Sequence, residues 1–264
     1  MLTRSTRICS FAIAGVFLLL AVGSTVSVAW RWGRPYLLGD SMARYPRIFL
    51  WAWERPEDLR FLNPNKTGVA VLAKTLILDG TQIRIYPRLQ PIQLPPGITT
   101  LAVVRIEGTS AVSDGTLIKK VIEELQEFLD GPAAGIQIDF DARVSERKFY
   151  RRLLEELRQI LPSGKLLSIT ALASWCIHDD WISDLPVDEA VPMLFRMGVD
   201  EDLINRYLSA GQDFLADRSR FSLGLSMDEP PAAVPRNRRI YLFNPHPWTE
   251  ESFKIALRRV KEQQ

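Results

Sequence analysis

Eight short runs rich in apolar, β-branched and aromatic residues punctuate the chain from residue 47 onward. They are RIFLWAW (47–53), GVAVLA (68–73), LAVVRIE (101–107), GIQIDFD (135–141), LLSITALASW (166–175), AVPMLFRM (190–197), FSLGLSMD (221–228) and RIYLFN (239–244). Runs of this length and make-up read as strands. Between several of them lie stretches with helical periodicity, at 116–130, 147–161, 200–217 and 249–263. In the second, Phe149, Leu153, Leu154, Leu157 and Leu161 recur on one helical face, and Pro162 with Gly164 stops it. Asp114 or Ser113 is placed to cap the first helix, and Thr249 to start the last. Strands alternating with helices predict βα units around a parallel sheet, and eight such units predict an α/β fold of the (β/α)8, TIM-barrel type.

Two units break the regularity. TLILDGTQIRIYP, between the second and third runs, reads as a β-hairpin turning at Asp79 and Gly80. PPAAVP, between the seventh and eighth, is too rich in proline for a helix. The barrel is expected to be irregular.

At the N-terminus the pattern changes meaning. Arg4 and Arg7 precede an apolar stretch from Ile8 to Trp30 with small residues at Ser27 and Ala29. That order of charge, apolar run and small residues has the form of an export signal cut after Ala29. About 20 apolar residues also suffice to span a bilayer, so an uncut anchor is the alternative. Residues 1–29 are thus expected to be a signal peptide or membrane anchor. Residues 45–264 are expected to form one barrel domain, exported and either periplasmic or anchored to the cytoplasmic membrane through the N-terminal segment.

Charge narrows the partners. With Arg4 and Arg7 set aside, 31 Lys and Arg balance 31 Asp and Glu. A neutral body lacks the clustered basic excess that a nucleic-acid backbone requires. Cys9 lies in the apolar leader, so Cys176 has no partner in the body for an intrachain disulfide.

Candidate chemistry sits at the ends of the strands. Side chains alternate sides along a strand, so Gln137, Asp139 and Asp141 share one face of the fourth run while Ile136, Ile138 and Phe140 share the other. The apolar face suits the helices, which leaves the acids pointing into the barrel, with Asp141 near the C-terminal mouth where barrel active sites form. Val103, Arg105 and Glu107 repeat the arrangement on the third run, and Ser222, Gly224, Ser226 and Asp228 share a face of the seventh. Arg196 lies near the end of the sixth. Converging carboxylates of this kind can divide acid and base roles between them. The same groups, paired with Arg105, would equally serve as an ion-pair layer filling a small barrel.

The runs LAVVRIE, GIQIDFDARVSERKFYRRLLEELRQILP, LSITALASW and DEAVPMLFRMG resemble a bacterial family known as domain of unknown function 3142, over most of residues 47–248. The resemblance implies a barrel related to glycoside hydrolases in exported bacterial proteins, and it brings no assigned activity. The chain is also similar to chitinase-type glycoside hydrolases, whose fourth strand ends in D-x-D-x-E. Asp139 and Asp141 match the two aspartates of that motif; Arg143 stands where its glutamate would be, so the proton donor of that family is missing.

The expected activity is that of a glycoside-hydrolase-like enzyme acting on a polysaccharide or oligosaccharide, with Asp139, Asp141 and Glu107 catalytic and Arg105, Arg196, Trp53, Trp175 and Asp228 binding substrate. The alternative is a catalytically degenerate barrel that binds a saccharide or an envelope partner. Trp53, Trp175 and Trp248 could offer stacking faces to sugars or pack in the core. Cys176, His178, Asp179 and Asp180 after the fifth run, with His246 after the eighth, have no metal-ligand spacing and read as ordinary loops. No metal and no cofactor are expected.

Overall fold

The computed structural model describes residues 42–109 and 115–263. The apolar leader and the capping candidates Ser113 and Asp114 lie outside them. Among the described residues, no helix is long and apolar enough to cross a membrane.

The described residues form eleven strands in chain order: β1 (Ile48–Ala52), β2 (Glu57–Asp58), β3 (Thr67–Asp79), β4 (Gln82–Pro87), β5 (Ile92–Gln93), β6 (Thr99–Gly108), β7 (Gly135–Asp139), β8 (Leu166–Leu172), β9 (Glu189–Met193), β10 (Ser222–Ser226) and β11 (Arg239–Phe243). Helices α1 (Gly115–Asp130), α2 (Arg147–Ile160), α3 (Ala173–Ile177), α4 (Glu201–Ser209) and α5 (Glu250–Gln263) connect or follow them. Eight strands, β1, β3 and β6 to β11, pair in parallel in sequence order, and β1 pairs with both β3 and β11, which closes the barrel. Each of the eight apolar runs supplies one of these strands.

The departures from regularity also fall where the sequence puts them. β3 and β4 form an antiparallel hairpin whose two-residue turn is Gly80 and Thr81, one residue later than expected, with Gly80 at φ 58°. No helix joins β10 to β11. The sequence reading splits one element in two, because GVAVLA and TLILD are a single 13-residue strand. A register shift between Leu72 and Lys74 explains why the run does not read as continuous. The extra residue of such a bulge exchanges the two faces. Below it Ala70 and Leu72 face the barrel interior, and beyond it Leu76 and Leu78 pack outward with α1, where Lys74 bonds Glu124 and Glu127 at 2.8 and 2.7 Å.

Helix faces follow from periodicity. Phe149, Tyr150, Leu153, Leu154 and Leu157 form the buried stripe of α2, and the helix stops where Leu161, ahead of Pro162, turns extended. α1 buries Leu117, Ile118, Val121, Leu125 and Leu129 in the same way. The expected helix at 200–217 ends early, at Ser209, and the LLSITALASW run gives up its last residues to α3.

Two apolar clusters result among the described residues. One fills the shell between strands and helices; the other, with Phe49, Trp51, Leu72, Leu101, Val103, Val191 and Tyr241, fills the barrel. Trp51 crosses the interior, its Nε1 donating to Gln137 Oε1 at 2.7 Å and its ring stacked on Tyr241 at 5.4 Å. Gly224 makes room for it, since a Cβ there would come within 2.9 Å of the indole. Gln137 in turn donates to Ser168 Oγ at 3.0 Å. This layer is the floor beneath the C-terminal mouth.

Candidate active site

Above the floor the mouth opens into a cavity of about 370 Å³, within the size range of small-molecule sites. Its lining includes Arg105 and Glu107 from β6, Asp139 and Asp141 from β7 and the turn after it, Thr170 from β8, and Arg196. Strand parity accounts for Arg105, Glu107, Asp139 and Asp141 around one opening, and Arg196 reaches it from the turn after β9.

The walls differ. On one side stand Glu107, Asp139 and Asp141. On the other, Trp53, Phe195 and Phe243 form an aromatic wall, with Phe195 and Phe243 stacked at 5.5 Å and Trp53 edge-on to Phe243 at 6.0 Å. Arg105 bridges the two sides: its Nε bonds Glu107 at 2.8 Å while its guanidinium carbon lies 5.6 Å from the centre of the Trp53 ring. Arg196 sits over Phe243 at 5.3 Å. Its backbone is left-handed, φ 52°, and its N–H donates to Glu229 Oε2 at 2.6 Å. A non-glycine residue held in that region is a strained one, of the kind that collects at functional sites.

Asp139 is the most perturbed of the acids. Burial is the main cause of a pKa pushed up to about 6; Asp141 and Glu107 push it further, and a hydrogen bond from Thr170 with the charge of Arg105 pulls it back. Thr170 Oγ1 donates to Asp139 Oδ1 at 2.7 Å, which leaves Oδ2 free to hold a proton. Asp141, exposed at the rim, is raised by the desolvation it experiences there and lowered by Arg105. A carboxyl that keeps its proton toward neutral pH, next to others that share the opening, is the arrangement that acid–base chemistry uses.

Three aromatic or acidic candidates lie elsewhere. Trp175 is on α3, buried against Trp181 at 5.0 Å, because the run that reads as strand turns helical at Ala173. Trp248 is buried, with Nε1 donating to the Trp51 carbonyl at 3.1 Å. Asp228 falls beyond the end of β10, exposed, and accepts a bond from Ser226 Oγ. The sequence reading assigns Trp175 and Asp228 to substrate binding, and neither lines the cavity. Cys176 is buried and its thiol is pushed up to about 12 by desolvation, which makes it a poor nucleophile. Among the described residues no cluster of His, Cys, Asp and Glu could hold a metal ion.

The sequence reading misses Phe195, Phe243, Thr170 and Glu146. The first three are within reach of the parity rule, since Phe243 follows Arg239 and Tyr241 on the inward face of β11 and Thr170 follows Ser168 on β8. Glu146 has a weaker signal, an acid three residues after Arg143 at the entrance to a helix. It reaches back so that Oε2 accepts the Arg143 N–H at 2.7 Å.

A model of the family described as "Domain of unknown function (DUF3142)" matches residues 96–193. The match runs from β6 through β9 and so contains Arg105, Glu107, Asp139, Asp141 and Thr170, within the wider stretch over which the resemblance extends. No curated protein matches the sequence. Among solved structures, the spore cortex-lytic enzyme SleL of Bacillus cereus is 16% identical with a TM-score of 0.43, the match covering 69% of this chain and 51% of that one. The chain spans about half the length of that enzyme.

Proposed function

We propose that the barrel is a glycosidase-like hydrolase acting on a polysaccharide, with its reaction centre at Asp139, Asp141 and Glu107. The observation that carries the reading is the raised Asp139 carboxyl at the base of an open cavity whose opposite wall is aromatic. Flat aromatic faces suit the apolar faces of sugar rings, and a protonated carboxyl suits a leaving glycosidic oxygen. In this reading Asp139 delivers its proton to that oxygen as the bond to the anomeric carbon breaks. Asp141 faces the positive charge that builds on the ring and takes a proton from the water that replaces the leaving group. Glu107 is held by Arg105, and Arg105 and Arg196 orient the substrate over Trp53 and Phe243.

This division gives the acid role to Asp139, the more buried of the two aspartates, and leaves Asp141 the base and charge-stabilising role. The test is reducing-end release from a panel of bacterial polysaccharides. Wild type should release new ends, Asp139→Asn and Asp141→Asn should each lose at least about 100-fold in rate, and no release by wild type would sink the proposal.

A second reading has its own support. Arg105 already neutralises Glu107, and Arg143 occupies a position where related motifs carry an acid. A barrel that binds a saccharide without cleaving it fits both facts. Calorimetry followed by product analysis separates the two, because ligand recovered intact after long incubation speaks for binding alone. Export belongs to the proposal as well, and cell fractionation with protease accessibility would refute it by finding the body in the cytosol.

A further inference from the structure

Two arginines of the mouth are anchored by their backbones and leave their side chains to the opening. Arg143, in the turn after β7, donates its backbone N–H to Glu146 Oε2 at 2.7 Å. Arg196, in the turn after β9, donates its own to Glu229 Oε2 at 2.6 Å. A bond from a peptide N–H to a carboxylate is strong and directed. In both turns the neighbouring acid therefore fixes where the arginine stands without pairing tightly with its charge.

The guanidiniums keep most of their donors. That of Arg143 gives one long bond, to the Gly108 carbonyl at 3.3 Å, and makes no ion pair among the described residues. Arg143 is exposed and lines the cavity. The side chain of Arg196, which also lines it, is 60% exposed and lies over the Phe243 ring, with Nε 3.8 Å from Glu229 Oε1. A ligand in the mouth can reach both. Arg105, the third arginine of the lining, is spent on Glu107 at 2.8 Å. The acids oppose an anionic ligand less than their number suggests: Glu107 is neutralised by Arg105, and Asp139 keeps its proton up to about pH 6, which leaves Asp141.

We infer that the mouth takes an acidic saccharide, and that Arg143 and Arg196 bind carboxylates carried on its sugar rings. A guanidinium presents a planar fork of donors that matches a carboxylate two bonds at a time, which the hydroxyls of a neutral sugar do not require. The two arginines stand on turns separated by one strand, β8, so they face the same opening from neighbouring parts of its rim. The inference rests on the saccharide reading above and names the class of ligand: a chain of uronic-acid type rather than a neutral glycan.

The experiment is calorimetry at about pH 5, below the Asp139 midpoint, with tetramers of galacturonic, glucuronic and mannuronic acid, each beside its methyl ester. The ester keeps the sugar and the linkage and removes the charge. Wild type should bind at least one acid about tenfold more tightly than its ester, the loss expected for a bond between charged partners. Raising salt from about 0.1 M to about 1 M should erase most of that difference, because the arginines are exposed and the screening length falls from about 10 Å to about 3 Å. Arg143→Gln keeps the backbone bond to Glu146, so melting should change little. It should weaken the acid about tenfold and leave the ester within about twofold. Arg196→Gln should cost the acid more than the ester. An ester bound as tightly as its acid, or acid binding untouched by both substitutions, would overturn the inference and leave the saccharide reading standing. If neither form of any tetramer binds, the saccharide reading fails and this inference with it.

Discussion

The barrel interior holds two charged layers, and they are built in opposite ways. Near the N-terminal ends of the strands, Glu189 is fully buried and surrounded by donors: Ser222 Oγ, Tyr241 Oη and, at 3.3 Å, Arg239 Nη1. Arg239 is satisfied in turn by the Pro46 carbonyl at 2.8 Å and the Met42 carbonyl at 2.6 Å, so the segment that enters the barrel closes its lower end. At the mouth the acids outnumber their partners. Arg105 is taken by Glu107, Asp139 has only the Thr170 hydroxyl, and Asp141 stands at the rim. A fully bonded layer is what a stable core requires; an acid left partly desolvated and under-partnered destabilises the fold, a cost that the proposed acid–base role would explain.

The largest effect separating the layers should come from Arg239→Met. It leaves Glu189 a buried charge without its cation, and breaking such a pair costs about 3–5 kcal/mol, which chemical denaturation would read directly. A loss below about 1 kcal/mol would show that Tyr241 and Ser222 carry the carboxylate unaided.

Next is Asp139→Asn, whose effect should have the opposite sign. The folded pKa is about 6 against an ordinary value of 3.8, so between these values the folded protein binds more protons than the unfolded chain. Stability therefore falls as pH rises through that window, and the full cost is present above pH 6. At pH 7 the asparagine variant should be more stable by about 2 kcal/mol, a figure reduced for the partial exposure of the site. The gain should vanish by about pH 4. Melting curves at both pH values test this, and equal stability of the two proteins at pH 7 would remove the claim that the mouth carries an electrostatic cost.

The contrast explains what the sequence could convey. Alternation along GIQID and LAVVRIE suffices to bring Asp139, Arg105 and Glu107 to one opening, because strand parity is a local property. It cannot reveal that Glu189 and Arg239 pair, since these residues stand 50 positions apart on β9 and β11 and meet only when the barrel closes. Trp175 misleads for the same kind of reason: ALASW is compatible with strand and helix alike, and packing against Trp181 goes with the helix. The bulge in β3 shows in the sequence only as a break between two runs, because it leaves their composition unchanged and only the pairing with β6 joins them into one strand. Glu146 escapes notice because its unbonded oxygen is a property of the packed turn rather than of the residues in order.

The smallest effect should belong to Arg105→Met. The Arg105 and Glu107 side chains are 40% and 44% exposed, and pairs so open to solvent contribute about 0–1 kcal/mol. Stability should barely move, whereas saccharide affinity should fall if the guanidinium orients a ligand over Trp53. A stability loss matching that of Arg239→Met would make the mouth a structural ion layer like the one at the bottom of the barrel.

The difference between the layers reduces to one proton. Titration of the Asp139 carboxyl by 13C NMR in the folded protein reads it without substrate or variant. The account predicts a midpoint about two units above the ordinary 3.8, at about 6; a midpoint at or below 4 would show Asp139 to be a stably charged, fully compensated group and would contradict the assignment of the mouth as an acid–base site.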